Sequence, residues 1–186
     1  MDELLNQSYP FEVVDGNPIN YKYDFVSIGE KEVPKRVSVI QYPSLEGYYN
    51  LGFGNITISD DGIEAVSDMS RDNNKSDADK VLTTVFGCAL DFLSNNTESK
   101  LTFYGNTALK HRLYKMKICD KIDLLSTYFT VKGGIIQNLN VVETPIGKDV
   151  TDAINVDNID YEPFNIQNSQ HYHFIVFELK EEYKGE

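Results

Sequence analysis

The chain has 186 residues, 41% hydrophobic and 12% aromatic, which is enough for a single domain with one substantial core. Its 17 Lys+Arg against 29 Asp+Glu give a formal net charge of -12, which excludes general nucleic-acid binding and attraction to anionic membranes, because both partners would be repelled on approach. Cys88 and Cys119 carry neither metal-ligand spacing nor a disulfide framework, Met1 to Leu5 lacks a signal-peptide pattern, and no run is long enough to span a bilayer. These features predict a soluble cytoplasmic protein without a membrane partner.

In chain order, residues 1–8 form a polar lead-in, and Tyr9-Pro10-Phe11 starts extended structure because a residue before proline avoids the helical region. A loop is expected at Asp15-Gly16-Asn17-Pro18. Tyr21, Tyr23 and Phe25 alternate with Lys22 and Asp24, the period of a half-buried strand, and a second strand covers Lys35 to Tyr42. Tyr48 to Ile58 is a longer extended stretch in which Gly52 and Gly54 predict a bulge or a close backbone approach. Asp60-Asp61-Gly62 signals a hairpin that returns through Ile63 to Met69.

Ser76 to Asp79 reads as a capping box, followed by Val81, Leu82, Val85, Phe86, Ala89, Leu90 and Leu93 at helical spacing. Gly87 within this helix implies close packing against it, since an unneeded helical glycine costs about 1 kcal/mol relative to alanine. A buried strand is expected at Lys100 to Tyr104, a turn at Gly105-Asn106-Thr107, and then a helix with Leu109, Leu113 and Met116 as its apolar stripe. Beyond a brief helical turn at Asp120 to Leu125, Tyr128 to Lys132 is expected to turn at Gly133-Gly134 and pair with Ile135 to Val142. Residues 143–170 have no period and read as a long loop or insertion, Tyr172 to Leu179 as a firm strand, and 181–186 as a charged tail. The order gives an α+β class, a mainly antiparallel twisted sheet packed by two principal helices in one domain over 1–186.

The most functional-looking stretch is the basic helix over 107–121, unexpected in so acidic a chain. A helix start at Asn106 or Thr107, with Lys110, Arg112 and Lys115 close by, can hold a phosphate, a carboxylate or an acidic protein partner. The alternative is that these cations pair with the surplus acids of the same molecule. Arg112 is singled out because its planar fork suits an oxyanion. His171 and His173 would share a strand face, yet no third ligand is indicated, so no metal is expected.

Tyr9-Pro10-Phe11, Tyr49 to Gly54, Asp79 to Val85 and Gly105-Asn106-Thr107 with Arg112-Leu113-Tyr114 together resemble a family of small uncharacterised proteins common in Bacteroidetes. That resemblance carries no activity. The central strand-helix-strand-helix unit is also similar to the acetyl-CoA-dependent N-acetyltransferase superfamily, which implies an acetyltransferase-like topology, a phosphate-cradling loop at Arg71, Asn74 and Ser76, and Tyr114 as a catalytic acid. Asn74 and Ser76 stand where that loop has glycines, and Asp77 and Asp79 place negative charge where a diphosphate would sit. Tyr114 falls one residue late after Asn106, a rotation of about 100 degrees on a helix. The expectation is therefore a non-catalytic binding or interaction domain without a cofactor. Its rivals are a divergent acetyl-CoA-dependent acyltransferase and a self-associating structural protein.

Overall fold

The computed structural model describes residues 2–43, 45–67, 73–74, 76–137, 141–144, 147–150 and 158–185. Within the expected polar lead-in, residues 2–6 form a short helix α1 (Asp2–Asn6), with Leu4 fully buried. An antiparallel meander follows: β1 (Phe11–Asn17), β2 (Asn20–Ile28), β3 (Glu32–Gln41) and β4 (Tyr48–Ile58), with β5 (Glu64–Ser67) folded back on the end of β4. The expected loop at Asp15 to Pro18 is shorter than predicted, because β1 continues to Asn17 after a register shift between Val13 and Asp15. Gly62, at a φ of +79°, supplies the left-handed turn that the β4–β5 hairpin needs.

Helix α2 (Ala78–Asn95) leads into β6 (Lys100–Phe103), then α3 (Ala108–Asp120) and α4 (Ile122–Tyr128). The remaining strands are β7 (Phe129–Ile136), a separate hairpin of β8 (Val141–Thr144) and β9 (Gly147–Val150), β10 (Ile159–Pro163) and β11 (Phe174–Leu179). The main sheet runs β1-β2-β3-β4-β6-β11-β7-β10, and among the described residues its one parallel neighbour pair is β4 with β6. The class is thus α+β with a mostly antiparallel sheet. The expected loop over 143–170 instead contributes β10, paired with β7, and a 3-10 turn at Ser169–His171.

Period-two burial places Tyr23, Phe25, Val37, Val39, Leu51, Leu101, Phe103, Ile175 and Phe177 in the same core cluster as α2. On α2 nearly every side chain from Val81 to Leu93 is buried, so this helix is wrapped rather than laid on a surface. Its Gly87 admits the chain entry: a Cβ there would lie 3.0 Å from Ser8 Oγ and 3.3 Å from the Phe11 ring. Ser8 Oγ donates to the Thr83 carbonyl and the Tyr9 amide donates to Thr84 Oγ1, which locks the N-terminal segment onto α2. Phe174 and Val176 pack with Ile159 in a second, smaller cluster on the opposite face of the sheet.

The Gly133-Gly134 pair does not turn. Strand β7 runs straight through it, because the Tyr172 and Phe174 rings lie where side chains would stand: a Cβ would meet them at 2.4 Å and 2.3 Å. Gly52 and Gly54 likewise sit in an unshifted β3–β4 register running from Lys35↔Asn55 to Gln41↔Tyr49. Helix α3 is turned away from its predicted stripe. Leu109, Leu113 and Met116 are exposed, while Lys115 and Ile118 are buried and His111 and Tyr114 half-buried. Polar contacts at the ends of His111 and Lys115 decide this, since both side chains reach carbonyls of the segment before β11.

Candidate functional site: the cleft where two parallel strands part

Strand β4 is paired to β6 from Tyr48↔Lys100 to Leu51↔Phe103 and to β5 only from Asn55↔Ser67 onward. Gly52, Phe53 and Gly54 therefore keep β3 on one edge and, among the described residues, no strand on the other. A cavity of about 360 Å³ opens beside this stretch, between β4, the start of α2 and α3. Carboxyl ends of diverging strands are where ligands bind in open sheets, because neither neighbour fills the space.

The cavity's chemistry is set by Lys35 and Asp77, with Phe53, Leu113 and Tyr114 among its walls. Lys35 faces inward in the same alternation as Val33, Val37 and Val39, and only 4% of it is exposed. Its Nζ donates to Asn55 Oδ1 at 2.7 Å and to Asn73 Oδ1 at 2.8 Å. Burial pulls the Lys35 pKa below its ordinary value, and the charge of Asp77 partly restores it. Asp77 Oδ2 accepts from the Ser27 hydroxyl at 2.6 Å and the Tyr9 hydroxyl at 2.8 Å, while its buried Oδ1 has no hydrogen-bond partner among the described residues.

The start of α2 differs from the expected capping box. Asp77, not Ser76, occupies the cap position and makes no side-chain cap bond. Asp79 turns to Lys117 at 2.7 Å, which ties α3 to the first turn of α2. The hydrogen bond from Lys117 holds the Asp79 carboxyl below its usual range. A depressed carboxylate pKa contributes stability above the unfolded value that is lost as the pH falls through the folded one. For so exposed a pair, a double-mutant cycle of Asp79→Ala and Lys117→Ala should give a coupling of about 0.2–1 kcal/mol at pH 7. That coupling should shrink with added salt and vanish in acid; a coupling that survives protonation would mean packing, not charge.

Of the other residues marked from sequence, Asn74 is buried and ties the β2–β3 turn, its Nδ2 donating to Ser27 Oγ and the Lys31 carbonyl. Ser76 is exposed, and Arg71 lies outside the described residues. Tyr114 stacks on Phe103 with centroids 4.8 Å apart and lies 5.9 Å from Phe53, so its ring forms the wall between the cavity and a hollow of about 120 Å³ bordered by Asn106. Thr107 caps α3 by accepting from the Lys110 amide, and Lys110 lines the cavity. Arg112 is exposed.

Lys115 is buried and donates to the Ser169 carbonyl, so its ammonium serves the protein interior. The basic helix thus divides its cations: Lys110 to the cavity, Arg112 to solvent, Lys115 to the core and Lys117 to Asp79. His111 accepts from the Gly105 amide at Nδ1, which leaves Nε2 to donate to the Tyr172 carbonyl. His171 ends a 3-10 turn and His173 Nδ1 accepts from the Ile136 amide, so the two do not share a strand face. Among the described residues no group of three His, Cys, Asp or Glu is placed to hold a metal ion. No helix there is long and apolar enough to cross a membrane.

From the sequence, Lys35 and Asn55 carry no site assignment, and Asp77 carries only that of a negative charge set against a diphosphate. For Lys35 a signal exists: two-residue steps from Val37 and Val39 put a lysine on the apolar face of β3. Asn55 carries only its place in a strand. No curated protein and no solved structure matches the chain. A family model does match, across residues 6–180, and the chain belongs to that family of unknown function, DUF6934.

Proposed function

We propose that this protein is a binding domain whose cleft, at the parting of β4 and β6, takes a small elongated anionic ligand. The observation that carries this is the edge at Gly52–Gly54, which has no strand partner among the described residues and faces a cavity lined by Lys35 and Lys110. An open strand edge offers backbone donors and acceptors to an extended ligand, and the two cations favour negative charge. This keeps Lys110 from the basic helix as an anion contact and moves the centre of the site from the helix surface to the sheet.

A cleft-filling variant tests it. Ala78 is exposed at the cavity edge, so Ala78→Trp should block entry while leaving the fold intact. Amide shifts in a fragment titration should fall on residues 52–55, 78–82 and 110–114 and disappear in Ala78→Trp. Shifts spread over the Arg112 face instead would return the site to the outer surface of α3.

The second reading is a divergent acetyl-CoA-dependent acyltransferase. It is favoured by one arrangement: a parallel pair joined through a helix, with β11 lying antiparallel between β6 and β7. Against it stand Asp77 and Asp79 at the mouth of α2. Calorimetry with acetyl-CoA decides between the two, and micromolar affinity abolished by Arg71→Glu would favour the enzyme.

A further inference from the structure

We propose that the ligand of the cleft is an amphipathic monocarboxylate, its carboxylate on the Lys35 ammonium and its apolar chain along Phe53, Leu113 and Tyr114. This rests on the reading of the cleft as a ligand site. A buried ammonium is costly unless a counter-charge or a full set of acceptors surrounds it. Lys35 has two acceptors, the side-chain oxygens of Asn55 and Asn73, and both are neutral. Among the described residues no carboxylate comes within ion-pair distance of it. An ammonium has three protons, so among the described residues one donor remains beyond the two amides. Because Lys35, Asn55 and Asn73 all line the cavity, that charged head lies at its wall.

The rest of the cavity selects the body and the charge of the ligand. Its walls beyond the Lys35 cluster include Phe53, Val81, Leu82, Leu113 and Tyr114, a lining for hydrocarbon or an aryl ring. Asp77 belongs to the same cavity, its Oδ2 held by hydroxyl donors. A dianionic phosphate meets one ammonium proton and a carboxylate there, whereas a carboxylate needs a single strong donor and suffers half the repulsion.

The test is calorimetric titration of the whole protein with octanoate and with octanamide, its neutral counterpart. Octanoate should bind at least about 10-fold more tightly than octanamide, the lower end of what a hydrogen bond to a charged group contributes. Lys35→Met should weaken octanoate by about 10- to 100-fold and leave octanamide unchanged. If octanamide equals octanoate in the unaltered protein, the inference is overturned even where Lys35→Met fails to fold. In that case binding of either compound that is blocked by Ala78→Trp leaves the cleft standing as a ligand site. Binding of neither compound, or binding indifferent to Ala78→Trp, removes the inference and the cleft reading together.

Discussion

Phe177→Ala is expected to lower the unfolding free energy by about 3–5 kcal/mol, the range for deleting a large aromatic from a packed core. Phe177 is fully buried at the centre of the sheet, on a strand paired with β6 on one side and β7 on the other. Its ring lies 5.4 Å from Phe86 of α2 and 5.6 Å from Phe129 of β7, so truncation opens a void that three elements would have to close at once. Urea unfolding followed by circular dichroism measures this. A loss under about 1.5 kcal/mol would mean that the site collapses freely and that α2 is not held as described.

Gly134→Ala should cost about 2–3 kcal/mol, the upper range for overpacking. The added methyl would sit 2.3 Å from the Phe174 ring, and that ring is itself packed with Ile159 and Val176. Neither partner yields cheaply: β7 is fixed by β10 and β11 at this residue, through Tyr161↔Gly134 and Phe174↔Gly134. Pairing Gly134→Ala with Phe174→Leu should recover part of the loss. No recovery would place the strain in the backbone rather than against the ring.

That glycine pair also marks where sequence reasoning stops. Two adjacent glycines between apolar runs look the same whether they turn the chain or make room for rings that arrive forty residues later, and only the partner strand decides. Local signals fared better: Tyr48 to Ile58 and the Gly62 hairpin are strand and turn as periodicity and turn chemistry require. The face of α3 misled for the converse reason. Leu109, Leu113 and Met116 match an apolar stripe, but His111 and Lys115 reach carbonyls of the Ser169 and Tyr172 segment, and those contacts rotate the stripe outward. Of the residues marked for a site from sequence, Asn74, Lys110 and Tyr114 line the cavity. Its centre depends on Lys35 and Asp77 converging from strand and helix, about forty residues apart in sequence, which no local pattern encodes.

The position of β11 also governs how this molecule can be made. Residues 174–179 lie between β6 and β7, so two strands translated earlier remain without their shared neighbour until synthesis has passed residue 179. A nascent chain stopped short of them would expose two open flanks of apolar sheet at once, the condition under which partly folded proteins aggregate or recruit chaperones. Truncation just before Phe174 should therefore yield insoluble material rather than a smaller, weaker version of the same domain.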